Sequence, residues 1–269
     1  MRRLALVPLA IALAIAGAWC GETYTPGTVR NGGSLRGRVM IEGNQLHLSP
    51  DQITKDGAWC GKTKPCARLV VGKGGGVKDA VVYIEQIAAG KDFPRGEVAL
   101  LHQQKCEYSP HVLLMSPRMR LEIVNDDPVL HNVHGYQTGA GSRSLFNIAQ
   151  PVKGQRTTVA VEQLAGANDI STTCDAGHPW MNAYIIRAKH PYYAVTDDQG
   201  RFELGDIPPG RYVLKMWHEG VAAVQSRAGS GSAPIVEAPY ESSRTIEVTA
   251  GSANTVDFSL SLRASPAAK

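Results

Sequence analysis

Apolar and basic residues alternate through Leu35-Arg36-Gly37-Arg38-Val39-Met40-Ile41, the period of a strand with one face buried. Met119 to Val124 alternates in the same way. Between and after them lie short apolar or β-branched runs: Ala80-Val81-Val82-Tyr83-Ile84, Val98-Ala99-Leu100-Leu101, His111 to Met115, Gln155 to Val161 and Ala183 to Ala188. Each is bounded by Gly, Pro, Asn or Asp, the residues that turn a chain. Beyond the N-terminal stretch no segment keeps a helical period over ten or more residues. Many short strands with turns between them predict an all-β chain built from sandwiches.

The pattern changes near Lys189-His190-Pro191. After it, Tyr193 to Leu204 reads as a hairpin turning at Asp198-Gln199-Gly200. Asp206 to Gly210 is a rigid turn, Arg211 to His218 a strand, and 226–236 a Ser/Gly/Ala-rich insertion. Arg244 to Val248 and Thr255 to Leu262 close a smaller sheet. The expected division is 34–188 for one all-β domain and 190–262 for a second, and 269 residues are enough for both to bury a core.

The first 18 residues read as a signal peptide: Arg2 and Arg3, an apolar stretch from Leu4 to Ala16, then the small-x-small site Ala16-Gly17-Ala18. That predicts export to the periplasm or beyond, with a lipid anchor on Cys20 as the alternative; Trp19 is a poor fit to lipobox-type processing. No other apolar run is long enough to span a membrane. The net charge of +4 comes without a Lys/Arg cluster, so nothing points to nucleic acid.

Five cysteines, at 20, 60, 66, 106 and 174, leave one thiol over in an exported chain. Cys174 stands apart in Thr173-Cys174-Asp175-Ala176-Gly177-His178-Pro179-Trp180-Met181. Cys60, Cys66 and Cys106 then supply one disulfide, with a small Cys60–Cys66 loop among the options; a Cys106–Cys174 bridge is the structural alternative. A thiolate, two imidazoles and a weak axial thioether are the ligand set of a mononuclear copper site. Cys174, His178 and Met181 provide three of these, and the stretch Leu121 to His134, with its two histidines, provides the fourth. No Ser/His/Asp order, HExxH or CxxCH motif argues for an enzyme or haem.

Ile123 to Val133 resembles the plastocyanin/azurin-type cupredoxins, where a strand ends in Asn and His-Asn-Val opens the next. The resemblance implies a cupredoxin-like Greek-key sandwich with His131, Cys174 and His178 as trigonal copper ligands and Met181 as the axial one. It also implies that Asn132 pins the ligand loop and that redox proteins are the partners. The spacing Cys-x3-His-x2-Met departs from plastocyanin and leaves His134 as an alternative ligand. It matches half of the binuclear loop of cytochrome oxidase subunit II, but that loop needs a Cys where this chain has Ile170. Val195 to Phe202 and Ile207 to Tyr212 resemble carboxypeptidase regulatory-like, transthyretin-like sandwiches, which implies a fold and no catalytic residues. The expected function is one-electron transfer; copper storage or delivery, and a metal-free carbohydrate- or protein-binding module, are the other two readings.

Overall fold

The computed structural model describes residues 24–43, 48–139, 142–167, 169–221 and 238–262. The signal peptide, Cys20 and the 226–236 insertion lie outside the described residues. The described chain is all-β apart from one helical turn at Gly57–Cys60 and one 3-10 turn at Val161–Leu164.

One pair of sheets carries the candidate ligands. A four-stranded sheet has the order Arg156–Thr158, Arg120–Asn125, Val98–Gln104, Glu107–Ser109. A five-stranded sheet has the order Ser144–Gln150, His131–Gln137, Ile170–Cys174, His178–Arg187, Val112–Met115. Strand Ser144–Gln150 is not evident from the sequence pattern, because Asn147 interrupts its apolar residues. Leu101, Leu121 and Ile123 of the first sheet pack into one core with Val133, Ile170, Ala183 and Ile185 of the second. Each of the Leu, Ile and Val side chains contributes about 1.5–3 kcal/mol by leaving water. The sheets are mixed: Arg120–Asn125 runs parallel to Val98–Gln104, and His178–Arg187 runs parallel to Val112–Met115.

The second pair of sheets corrects the expected division of the chain. Strands Gly33–Glu42 and Val81–Ile84, expected within the 34–188 domain, pair with the C-terminal strands. Gly33–Glu42 lies between Arg201–Ile207 and the strands Ala253–Thr255 and Phe258–Ser261. Val81–Ile84 lies between Tyr193–Val195 and Gly210–His218. Leu35, Val39, Val82 and Ile84 therefore share a core with Leu204, Leu214, Met216 and Phe258. The ligand-bearing sheets are inserted between two adjacent strands, Val81–Ile84 and Tyr193–Val195. Alternation marks a strand but does not name its partner, so pairings between distant segments escape a sequence reading.

The hairpin expected over 193–204 is also corrected. Its turn is present, with Asp197 accepting from the N–H groups of Gln199 and Arg201 at 2.8 and 2.9 Å. The flanking strands then enter different sheets, Tyr193–Val195 against Val81–Ile84 and Arg201–Ile207 against Gly33–Glu42. The turn is a corner of the sandwich.

Candidate metal centre

His131 opens its strand directly after a loop built by Asn125. The Asn125 amide donates to the carbonyls of Val129 and Gln150 at 3.0 and 2.8 Å, and its oxygen accepts the Asp127 N–H at 2.9 Å. Those bonds satisfy backbone groups that a buried loop would otherwise leave unpaired. They also aim Asp127 inward, where its carboxylate accepts the N–H groups of Lys105 and Cys106 at 2.7 Å each and His131 Nε2 at 2.9 Å.

Cys174 and His178 end the two strands of a hairpin. The register slips between Thr173, opposite Asn182, and Cys174, opposite His178, which leaves Pro179 to Met181 without partners. Gly177 makes the turn at φ +97°, a region that favours glycine, and a Cβ there would meet Lys55 Cδ at 2.6 Å.

His131, Cys174 and His178 come together as expected. One donor atom of each lies within 4.8 Å of the others, and all three residues are buried. Cys174 Sγ is 3.6 Å from His178 Nδ1 and accepts the Asn132 N–H at 3.5 Å. The Asn132 side-chain oxygen accepts the Ala176 N–H at 2.8 Å, which ties the ligand loop to the His131 strand. Among the described residues His131 Nδ1 is buried without a hydrogen-bond partner, a costly condition unless another group, such as a metal ion, takes its place. Two imidazole nitrogens and a thiolate suit copper, which favours soft sulfur and accepts imidazole.

The electrostatics prepare the sulfur for a metal and require His131 to release a proton when one binds. Burial pushes the Cys174 thiol up, but His131, His178 and the Asn132 N–H outweigh it and bring the pKa down to about 6. Burial opposes the charged form of His131 too, yet Asp127 and the Cys174 sulfur raise its pKa to about 9. Asp127 is likewise penalised by burial and then lowered to about 2 by His131, the Cys106 N–H, Trp59 and the Lys105 N–H. Cys174 is thus a thiolate at neutral pH, the form that binds metal.

Met181 is 1% exposed and packs in the same core as Cys174. Along its strand it alternates with Ala183 and Ile185, which lie opposite Thr172 and Ile170. It therefore belongs to the face that carries Cys174. His134 does not, which corrects its place as an alternative ligand. In the strand His131–Gln137, Gly135 lies opposite Thr172, so His131 and Val133 share the inner face and His134 takes the outer one. The His134 ring is held there by the Asp175 carboxylate and by Ser144 Oγ at 2.8 Å.

The disulfide is Cys60–Cys106, with Cys66 and Cys174 free. This excludes both the Cys60–Cys66 loop and the Cys106–Cys174 bridge. Trp180, beside the ligand loop, is buried: its Nε1 donates to the Cys106 carbonyl at 2.9 Å and its ring meets His178 edge-on at 5.1 Å.

Two residues of the site carry no sequence expectation. Asp127 backs His131, and a carboxylate four positions before a ligand histidine is the only sequence signal for it. Asp56 backs His178, its Oδ2 lying 2.9 Å from Nε2 across 122 residues of chain, and no local pattern marks it.

No protein-family model and no curated protein matches the sequence. Solved structures match part of it. A purple cupredoxin from Nitrosopumilus maritimus is 20% identical over 34% of this chain and 99% of its own, with a TM-score of 0.28. An amicyanin from Paracoccus versutus is 16% identical over 40% of this chain and 97% of its own, with a TM-score of 0.27. A copper-containing nitrite reductase from Thermus scotoductus is 16% identical over 39% of this chain and 25% of its own, with a TM-score of 0.28. Likenesses this distant assign no chemistry.

Proposed function

We propose that this is an exported, cupredoxin-like protein that binds one copper ion through His131, Cys174 and His178, with Met181 as the axial contact, and passes single electrons between redox proteins. The observation that carries the reading is the buried His/Cys/His cluster, in which His131 Nδ1 has no other partner. Copper, when bound, supplies a one-electron couple. The chain supplies a donor set fixed before the metal arrives: Asp127 and Asp56 hold the two rings, and the Asn132 N–H steadies the sulfur. A site anchored on strands keeps similar positions in both oxidation states, which lowers the cost of reorganisation on electron transfer. Storage or delivery would need an exchangeable metal, and burial of all three ligands disfavours exchange.

The signal-like N-terminal stretch supports export to the periplasm or beyond as part of this reading, with a lipid anchor on Cys20 as the alternative. We read the C-terminal sheets, with the strands Gly33–Glu42 and Val81–Ile84, as a transthyretin-like accessory.

Adding Cu(II) to the purified protein and recording visible absorption and EPR spectra tests this reading. An intense thiolate-to-copper band with small hyperfine splitting is expected, and Cys174→Ser should abolish the band. Absence of the band from the wild-type protein, or mass mapping of Cys174 in a disulfide, would overturn the reading.

A further inference from the structure

The segment Asp51 to Lys64 leaves the second pair of sheets and crosses to the ligand loop. It is a small hairpin, Asp51–Gln52 against Thr63–Lys64, with the helical turn Gly57–Cys60 at its tip. Three contacts fix it to the sandwich. Cys60 is bonded to Cys106, Lys55 Nζ donates to the Ala176 carbonyl at 2.6 Å, and Lys64 pairs with Glu107 at 3.2 Å. The outer edge of His178 is covered as a result, and its side chain is 0% exposed while that of Asp56 is 30% exposed.

Asp56 occupies the N-cap position of that turn, where an aspartate ordinarily accepts a hydrogen bond from the helix N–H groups. Here it makes no such bond. Its backbone stands at φ 52°, ψ 32°, a left-handed conformation that costs a non-glycine residue free energy unless its surroundings hold it. The carboxylate has been turned from the helix to His178 Nε2. A ring whose Nε2–H is donated to a carboxylate keeps its Nδ1 lone pair free, and the carboxylate makes that nitrogen a better donor. Asp127 does the same behind His131 at the same 2.9 Å distance.

We propose that the strap Asp51 to Lys64 is part of the metal centre, with Asp56 a positioning residue that fixes His178 as an Nδ1 ligand and biases the site toward the oxidised metal. This rests on the copper reading above. Two carboxylates behind two ligands add negative charge to a site that already holds a thiolate. Such a site favours the doubly charged ion over the singly charged one, so the protein gives up its electron readily. Its acceptor is a centre of higher potential.

Full-length protein loaded with copper tests this through three variants. Asp56→Asn keeps an acceptor oxygen and tolerates the left-handed backbone, so it removes the charge alone. Asp56→Ala removes charge and hydrogen bond together. The double variant Cys60→Ser with Cys106→Ser frees the strap and leaves Asp56 in the chain. Cu(II) affinity is read by competition with a chelator and the reduction potential by spectroelectrochemistry. Asp56→Ala should weaken Cu(II) binding about 10–100-fold. Asp56→Asn should weaken Cu(II) binding more than Cu(I) binding and raise the potential, by about 59 mV for each tenfold difference between the two ions. The double variant should shift the potential in the same direction. If wild-type protein shows the thiolate band but neither Asp56 variant changes potential or affinity by more than about twofold, the strap proposal is wrong and the copper reading stands. If wild-type protein shows no band, both fall together.

Discussion

The two ligand histidines are held by the same device assembled in different ways. His131 and Asp127 lie four residues apart in one loop, and most of what fixes Asp127 (Asn125 and the N–H groups of Lys105 and Cys106) belongs to the inserted sandwich, with Trp59 of the strap as a further partner. His178 and Asp56 lie 122 residues apart, and Asp56 arrives on a strap secured by the Cys60–Cys106 bond. The same 2.9 Å contact has therefore two structural supports, one local and buried, the other distant and partly exposed. One half of the site is built mainly by the sandwich. The other half depends on a segment that the sandwich does not contain.

The largest expected difference between the halves is in stability. Asp127 is 1% exposed and satisfies two backbone donors besides His131, so Asp127→Ala leaves buried groups unpaired and should cost the metal-free protein about 3–5 kcal/mol. Asp56→Ala removes a partly exposed carboxylate but leaves the buried His178 Nε2 unpaired and puts alanine in a left-handed backbone, so it should cost the smaller amount of about 1–3 kcal/mol. Denaturant unfolding of the metal-free variants measures both. Equal losses would show that the strap supports the fold as much as the loop does.

A third histidine sharpens the role of the carboxylates. His190 is buried, and among the described residues no acid stands behind it and its Nε2 has no partner. Burial lowers its pKa to about 4, with Lys189 adding to the effect against a smaller backbone contribution, whereas His131 stands near 9. A histidine whose folded pKa lies below its unfolded value binds its proton more readily when unfolded. Its contribution to stability is therefore complete above about 6.5 and is lost as pH falls toward 4. The metal-free protein should lose on the order of 2–3 kcal/mol across that window through this residue. Unfolding of His190→Gln at a series of pH values should show that part of the slope removed; an unchanged slope would assign it elsewhere.

The smallest effects concern the neighbours of the ligands. His134→Ala should leave the copper spectrum and potential unchanged, because His134 occupies the outer face of its strand. Met181→Leu should keep the copper and raise the potential, as loss of a weak axial contact alters tuning more than affinity. The opposite pair of results would move the axial position from Met181 to His134.

The halves also differ in how far they can be read without coordinates. Strand alternation, the lone Cys174 with His178, and His-Asn-Val after a strand are local features, and they suffice for an all-β chain and for the three residues that converge. The loop around Asp127 is half legible, since Asn125, Asp127 and His131 share a short segment whose hydrogen bonds run within it. The faces of the His131 strand follow from register, which separates His131 from His134 although they are only three positions apart.

Sequence by itself determined the secondary-structure class and the types of side chain that gather at the candidate site, because a period of two and a cluster of soft donors are written within a few residues of each other. Only the tertiary structure decided that Gly33–Glu42 and Val81–Ile84 join the C-terminal strands, that Cys60 bonds Cys106, and that Asp56 stands behind His178. Each of these is a meeting of segments far apart in the chain. Strand edges and thiols carry no mark of their partner, so such meetings are settled by which cores close when the whole chain packs.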